Sequence, residues 1–441
     1  MKKNALLIGS AESQIEIKLP AMLNGHINRN KPAEGFIDHP EIHLIVLKDD
    51  YGELVVVSID VLEIETSVCS LIRQRISGIV GVSEKSVMIS CTHAHTVPAA
   101  IRLGLVEMDE EFVKTLSDQV CGLALKAAHS LVPCCMMASK GNCIGIGINR
   151  RKEICGQILM APNPDGPNDT SVLTYWFFSK TSKLIACLVN FNMHATTLDV
   201  TVFEVSADYP QYMRRKINEQ FPSANILFFN GACGDIRPNL IQDDGSFRGG
   251  FESDLVRIGC ELGQSVIDSL KNASLEKETC LQAISKTIEL KYSYQDDKRP
   301  RRVIDKNSSE GRQIDQGLMA QAFEKWEQER VSSRIKPVSV GFEIQGFSLS
   351  TRTSIVALPA EVFVQTGMEI RENSPFVYTI VSGYSNGSVG YIPNEESIKQ
   401  GGYEAQDAYK LYYLPAPFVP ETAHEIIDGT ESALNQLCMF K

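Results

Sequence analysis

The 441-residue sequence lacks a long apolar run, a secretory leader and a large basic surface. No stretch approaches the roughly 20 apolar residues that span a bilayer. The apolar run near the N-terminus breaks at Gly9 and Ser10, too early for a signal peptide. The net charge is −11, and the one basic cluster, residues 298–302, is short and follows two aspartates. These absences predict a cytoplasmic protein without a transmembrane segment, and they argue against nucleic acid as a partner.

The sequence also lacks a Cys-x-x-Cys pair, although it has 12 cysteines. Cys69, Cys187 and Cys260 lie in apolar runs, where a reduced thiol behaves as a small apolar side chain. Disulfides are rare in reducing compartments. We therefore predict buried free thiols, with neither disulfides nor a cysteine metal site.

The order of strand-like and helix-like segments predicts an α/β fold. Hydrophobic residues make up 43% of the chain, which is enough for a large core. Residues 49–52 carry a turn signal between two strand-like runs, whereas later segments alternate strand, helix and strand, as in parallel crossovers. We expect a mixed, mostly parallel β-sheet flanked by helices, in a single large domain over residues 1–441.

Residues 293–337 differ from the rest of the chain because they are rich in charged residues, glutamine and serine. One helix is predicted among them, near residues 319–331. The stretch is interpreted either as a charged insertion that acts as a lid or as a solvated surface connector.

A His-x-His pair directly after a strand-like run is the most informative motif. Residues 86–90 are typical of a strand, and His93 and His95 follow it. Two residues apart on an extended segment, both imidazoles would face one side and could grip a metal ion. An ordinary hydrogen-bonded pair of histidines is the alternative. His95 could be a second ligand or the base that holds the proton of an attacking water.

Three other strand-like runs each lead to a further potential ligand: His194, Glu361 and Tyr391. Zn²⁺ prefers imidazole nitrogen and carboxylate oxygen, and a catalytic site leaves one position open. Ligand sites in open α/β sheets lie beyond the carboxyl ends of the strands. A site that combines these residues with His93 would draw its side chains from almost the whole length of the chain. Independent domains would split such a site, so it favours a single cooperative core.

A glycine-rich turn at residues 230–239 closes the strand-like run 225–230. Gly231 and Gly234 allow tight curvature near a ligand, and exposed amides there could hold an oxyanion. A plain strand-to-loop turn explains the same residues.

Five segments follow one another in a specific order along the chain. They are residues 92–95 (THAH), 190–197 (NFNMHATT), 230–239 (NGACGDIRPN), 358–361 (LPAE) and 389–405 (VGYIPNEESIKQGGYEA). In this order they resemble the neutral ceramidase family, which consists of zinc amidases. The resemblance covers nearly the full chain as the catalytic domain of that family.

The resemblance implies a zinc site with catalytic neighbours. The implied zinc ligands are His93, His194, Glu361 and Tyr391. The implied catalytic residues are His95 at the attacking water, Tyr403 near the scissile carbonyl, and Arg150. A phenol is an unusual ligand, so a simple packing role for Tyr391 is the alternative.

The chain departs from the family pattern at three points. Arg237 stands where the family has serine, residues 96–100 replace a glycine-rich continuation, and neither a leader nor the family's C-terminal β-sandwich is visible. Guanidinium groups bind carboxylates and phosphates at two points, so Arg237 and its neighbour Asp235 are candidate substrate-binding residues. Alternatively, Arg237 pairs with Asp235 or another acid and braces the loop.

These residues predict a zinc-dependent, ceramidase-like hydrolase that cleaves the amide bond of a small-molecule or lipid-like N-acyl substrate through a metal-activated water. Two rivals stay open. One is a non-catalytic metal- or ligand-binding homologue, and the other is a metal-dependent esterase or phosphoesterase. The sequence indicates no oligomeric state.

Overall fold

A computed structural model describes residues 6–294, 315–333 and 336–439 of the chain. The charged stretch at residues 293–337 is therefore described only in part, and its basic cluster at residues 298–302 lies outside the described residues. The helix predicted within the stretch is confirmed, and it spans Gln316–Ser332.

Helices and strands are found throughout the described residues. The helices are α1 Thr66–Val80, α2 Glu110–Ala128, α3 Tyr209–Gln220, α4 Glu252–Ser269, α5 Gln316–Ser332, α6 Val364–Glu372, α7 Glu395–Gln400, α8 Tyr403–Gln406, α9 Ala408–Leu411 and α10 Thr422–Cys438. The strands are β1 Leu7–Gln14, β2 Ala21–Met22, β3 Pro32–Ala33, β4 Gly35–Phe36, β5 Glu41–Lys48, β6 Glu53–Ile59, β7 Val87–Cys91, β8 Val132–Asn142, β9 Gly147–Ile154, β10 Gln157–Asn163, β11 Ser171–Ser179, β12 Leu184–Phe191, β13 Glu204–Val205, β14 Asn225–Asn230, β15 Ile236–Pro238, β16 Ser274–Leu275, β17 Thr279–Lys291, β18 Ser339–Ser350, β19 Thr353–Ala357, β20 Glu361–Val362, β21 Tyr378–Ser382 and β22 Tyr391–Ile392.

The largest sheet has nine strands, in the order β14-β12-β11-β8-β1-β5-β6-β7, with β16 paired to β8. Its parallel pairs are β12–β14 and β6–β7, and each has a helix between its strands in the chain. The remaining described pairs are antiparallel, and turns at residues 49–52 and 180–183 connect two of them. The mixed α/β class is confirmed. The predicted parallel majority is wrong, because antiparallel neighbours outnumber the helical crossovers.

A second sheet, β17-β18-β19-β21, packs on the first and gives two sheets between two helical layers. Ile45 of β5 and Phe347 of β18 lie in one apolar cluster between the sheets. Leu44, on the opposite face of β5, packs in the cluster that includes α1 to α4, and Val356 of β19 packs in the cluster that includes α6 and α10. Burial of each such aliphatic side chain stabilises the fold by roughly 1.5–3 kcal/mol.

The cysteines agree with the expectation of free thiols. None of the 12, all of which lie in the described ranges, forms a disulfide, and Cys69 and Cys187 are buried, whereas Cys260 is partly exposed. Within the described ranges, no helix combines the length and the apolar character that crossing a membrane requires.

Candidate metal centre and active site

The two histidine segments follow β7 and β12, and they meet outside the large sheet. β7 ends at Cys91 and β12 ends at Phe191. A parallel bridge then pairs Ala94 with Ala195, and the His95 amide donates to the Ala195 carbonyl at 3.2 Å. This bridge brings the rings of His93 and His194 to a centroid distance of 4.7 Å.

His93 reaches this position through a turn and not through an extended segment. Its φ angle is 61°, in the left-handed region that a non-glycine residue adopts at a cost of roughly 1–3 kcal/mol. The sequence-based picture of two side chains on one side of a strand is therefore wrong in its geometry. The rings of His93 and His95 still lie close together, with centroids 4.6 Å apart. Backbone strain of this kind is concentrated at functional sites.

Glu361 and Tyr391 come from two short strands that pair directly. β20 and β22 are parallel, and their register places Glu361 beside Tyr391. The loop after β14 packs closely on Glu361, and the Gly234 amide donates to the Val362 carbonyl at 2.9 Å. A Cβ at Gly234 would lie 2.7 Å from the Glu361 carbonyl oxygen, so glycine permits this close approach.

Each of the three clustered histidines is oriented by a backbone carbonyl. A carbonyl only accepts hydrogen bonds, so each ring carries its proton on Nδ1 and leaves the Nε2 lone pair available. The three hydrogen bonds run from His93 Nδ1 to the Leu62 carbonyl at 3.1 Å, from His95 Nδ1 to the Gly25 carbonyl at 2.9 Å, and from His194 Nδ1 to the Cys233 carbonyl at 2.8 Å.

The Nε2 atoms of His93 and His194 converge on the Glu361 carboxylate. Glu361 Oε2 lies 3.2 Å from His93 Nε2 and 3.0 Å from His194 Nε2, and all these side chains are buried. The Tyr391 hydroxyl lies 3.4 Å from His194 Nε2. Burial would raise the pKa of Glu361, but the two histidines outweigh it and hold that pKa below its ordinary value. Burial and the charge of Arg150 lower the pKa of His194 to about 4, which favours the neutral ring.

A divalent cation fits this arrangement. Tetrahedral ligands at about 2.0–2.1 Å from zinc lie roughly 3.3 Å apart, close to the separations between Glu361 and the histidines. Within the described residues, His93 Nε2, His95 Nε2 and Glu361 Oε2 are buried without a hydrogen-bond partner. The ligand atoms of His93, His95 and His194 all lie within 4.8 Å of one another. Since buried polar atoms normally have partners, their convergence supports a metal site.

Arg150 joins the predicted site through its guanidinium group. Its Nη2 donates to the Tyr391 hydroxyl at 3.0 Å and to the Gly234 carbonyl at 2.7 Å, and its Nε donates to Glu404 Oε1 at 2.9 Å. Burial raises the pKa of the Tyr391 phenol, while the charge of Arg150 acts in the opposite direction. Arg150 therefore holds the phenol in place and favours its charged form.

Glu63 and Tyr412 extend the site, and no spacing in the sequence indicated either residue. The Tyr412 hydroxyl lies 2.7 Å from Glu63 Oε2 and 2.6 Å from Glu361 Oε1. A hydroxyl has one hydrogen, so one of the two carboxyl groups must donate to it. Burial and the charge of Glu361 raise the pKa of Glu63 well above its ordinary value. We infer that protonated Glu63 donates to Tyr412, which donates to Glu361.

Glu63→Gln is expected to preserve activity within about threefold, whereas Glu63→Ala lowers it about tenfold, the lower end of effects seen for residues that orient metal ligands. The glutamine amide can donate to Tyr412, and its carbonyl can accept from Ser388 Oγ, which lies 2.7 Å from Glu63 Oε1. Steady-state kinetics with equal metal content in both variants would measure the difference. A larger loss in Glu63→Gln than in Glu63→Ala would contradict the assigned proton.

A cavity of about 480 Å³ adjoins the histidine cluster. Its lining includes predicted catalytic and substrate-binding side chains, namely His95, Arg150, Tyr391, Tyr403 and Arg237. Leu318 and Met319 of α5 also line it, so the described part of the charged stretch forms a wall of the cavity. The ring of Tyr403 packs at 5.8 Å from that of Tyr391.

In the loop at residues 230–239, the amides of both glycines already donate to backbone carbonyls. Gly231 N–H donates to the Phe191 carbonyl at 2.9 Å, and Gly234 N–H is used by Val362. The amides of Gly231 and Gly234 are therefore not available to an oxyanion. Asp235 is buried, and its carboxylate accepts from Val364 N–H at 2.8 Å and from Asn149 Nδ2 at 2.9 Å. It lies on a second cavity of about 560 Å³ and not on the one that Arg237 lines.

The chain shares its fold with solved ceramidases. The neutral ceramidase from Pseudomonas aeruginosa superposes with a TM-score of 0.74 at 17% identity, over 99% of this chain and 75% of that one. A structure of ceramidase complexed with C2 gives a TM-score of 0.76 at 16% identity, over 99% and 76% of the two chains. No family model and no curated protein matches the sequence. The resemblance predicted from the motifs is confirmed at the level of the fold.

Proposed function

We propose that the protein is a zinc-dependent hydrolase that cleaves the amide bond of a small-molecule or lipid-like N-acyl substrate. One observation carries the proposal: buried imidazole Nε2 atoms with fixed lone pairs converge on a buried carboxylate at 3.0–3.2 Å. The shared fold with ceramidases supports the reaction class. The cavity beside the cluster supplies room for a substrate.

His93, His194, Glu361 and Tyr391 are the proposed zinc ligands. Glu361 contacts both His93 and His194, and Tyr391 contacts His194, so these four side chains form one continuous set. Zinc bound there would supply Lewis acidity, which polarises a carbonyl and lowers the pKa of water to about 7.

His95 is the proposed proton carrier. Its Nδ1–H is held by the Gly25 carbonyl, so Nε2 accepts a proton from the attacking water and can return it to the leaving amine. Burial and the neighbouring histidines lower the pKa of His95 well below its ordinary value, which favours the neutral ring. A lone pair at Nε2 is thus available at neutral pH.

Arg150 and Tyr403 are the proposed donors to the oxygen of the scissile carbonyl. Both line the cavity. The hydrogen bonds of Arg150 to other described residues use Nε and Nη2, so Nη1 is the nitrogen proposed to reach a ligand. Burial raises the pKa of Tyr403, so its phenol keeps the proton it would donate. Donors placed before the reaction stabilise developing negative charge without reorganisation.

Metal analysis and chelation test the proposal. Purified protein reconstituted with zinc is expected to hold about one equivalent, and chelation is expected to abolish hydrolysis of an N-acyl amide until zinc is restored. His93→Ala should lose the ion, whereas His129→Ala, which changes an exposed histidine, should retain it. A panel of amides, carboxylic esters and phosphate esters identifies the bond that is cleaved. Metal-independent hydrolysis, or a metal-loaded protein that cleaves only phosphate esters, would refute the proposal.

A further inference from the structure

The cavity beside the proposed zinc site has a strongly cationic lining. Arg29, Arg150 and Arg237 all contribute to it, together with His26. Asp199 is the only carboxylate among the described lining residues. The whole chain has a net charge of −11, so this grouping of arginines runs against its overall charge balance.

Arg29 is the most deeply buried of these cations, at 2% exposure. Its Nη1 donates to the His95 carbonyl, and its Nε and Nη2 have no hydrogen-bond partner within the described residues. Asp208 and Asp199 attract it electrostatically, and Asp208 already accepts from Thr197 Oγ1 at 2.6 Å. A buried guanidinium that lacks partners for two of its nitrogens is costly unless an anion reaches it.

Arg237 brings a second guanidinium to the same cavity. It is buried on β15, and its Cζ atom lies 4.3 Å from the centroid of the Phe247 ring, which orients the group. Burial and the charge of Arg150 lower its pKa to about 9, so the group stays charged at neutral pH. Glu404 offsets Arg150, yet the same carboxylate also binds Arg151 Nη1 at 2.6 Å. Among the described lining residues, three arginines therefore accompany a single carboxylate, Asp199.

The charges of Arg29 and Arg237 both act on the His26 ring. Burial, Arg29 and Arg237 lower its pKa well below the ordinary value, so the ring is neutral. Its Nε2 has no hydrogen-bond partner within the described residues, and its ring lies 5.0 Å from that of His95. His26 thus adds a polar atom to the cationic side of the cavity, directly beside the proposed proton carrier.

We propose that Arg29 and Arg237 bind an anionic group, a carboxylate or a phosphate, carried on the amine portion of the N-acyl substrate. The inference rests on the proposed amide hydrolysis and adds the substrate class. Planar guanidinium groups hold such anions with charge-assisted, two-point hydrogen bonds.

The remaining lining explains why the anion belongs to the amine portion. Leu103, Leu105, Val106, Leu318 and Met319 give the cavity an apolar part. An acyl chain gains free energy by leaving water for such a surface. With the acyl chain bound there, the charged group must lie on the other side of the scissile amide.

Calorimetric titration with three matched probes tests the inference. The probes are N-octanoylethanolamine, which is neutral, its phosphate ester, and N-octanoylglycine. They are titrated into the full chain under chelating conditions, so that no metal contributes to anion binding. At least one charged probe is expected to bind about 10–100-fold more tightly than the neutral one, and their ranking identifies carboxylate or phosphate. Equal affinities for all three would overturn the inference even if the zinc-loaded protein hydrolyses amides.

Arginine variants locate the effect. Arg237→Gln is expected to remove most of the preference for the charged probe, and Arg237→Lys to retain part of it. Arg257→Gln changes an exposed arginine of α4 that pairs with Glu261, and it should leave the preference intact. If Arg237→Gln does not fold because it loses a buried charge, Arg29→Lys provides a second test, since it keeps the charge and changes only the guanidinium group. A preference that survives in both Arg237→Gln and Arg29→Lys would overturn the assignment, and a preference without any turnover would refute only the proposed reaction.

Discussion

Glu361→Gln is expected to lower amide hydrolysis by about 10²- to 10³-fold and to leave the protein with substoichiometric zinc. The substitution keeps the shape of the side chain and an acceptor for the Tyr412 hydroxyl, which lies 2.6 Å from Glu361 Oε1. It removes the negative charge that faces His93 and His194. Loss of one member of a buried charged set costs about 3–5 kcal/mol, and each 1.4 kcal/mol is a factor of ten.

The measurement pairs metal analysis with steady-state kinetics, and thermal unfolding checks the fold of the variant. Glu372→Gln is the matched control, because that glutamate is exposed at the end of α6. It should bind zinc and turn over like the parent protein. Wild-type turnover in Glu361→Gln with full zinc content would exclude Glu361 as a ligand and remove the central member of the proposed site.

The proposed ligands were predictable because each follows a strand in the sequence. β7 and β12 end shortly before His93 and His194, and the segments that follow these two strands meet in the bridge between Ala94 and Ala195. The close contact between Glu361 and Tyr391 needed the resemblance as well, since their two short strands pair across about 30 residues of chain. Spacing alone does not predict such a pair.

Glu63, Tyr412 and Arg29 could not be found in the same way. Each is held at the site by the packing of segments that lie far from the histidines in sequence. Tyr412 follows α9, Glu63 follows β6, and Arg29 lies between short strands, and none has a ligand-like spacing to its partner. Their roles follow from distances between side chains, which no periodic pattern records.

The error about strand direction also has a physical cause. The prediction of parallel strands rests on segments that alternate strand, helix and strand in the sequence. Two such crossovers are present, β6–α1–β7 and β12–α3–β14, and both give parallel pairs. β8, β11 and β12 have no helix between them in the chain, and their pairs are antiparallel.

Arg150→Met is expected to reduce kcat by about 10²-fold while zinc remains bound. Arg150 supports the site from several sides, because it donates to Tyr391, to the Gly234 carbonyl and to Glu404. Methionine fills the buried volume but donates nothing, so the phenol loses its cationic partner and the carbonyl oxygen of the substrate loses a proposed donor. Removal of one such donor typically costs 10²–10³-fold in kcat.

Lys152→Met is the matched control, because Lys152 is exposed and lies two residues after Arg150 on β9. The kcat of this variant should equal that of the parent protein. Arg150→Lys separates charge from shape, since an ammonium group restores the charge near Tyr391 without the fixed fork that reaches Gly234 and Glu404 together. An intermediate kcat for this variant, with KM close to that of the parent, would place the effect on the reacting carbonyl. A change confined to KM would instead make Arg150 a part of substrate binding alone, because an interaction made equally before and during the reaction leaves kcat unaltered.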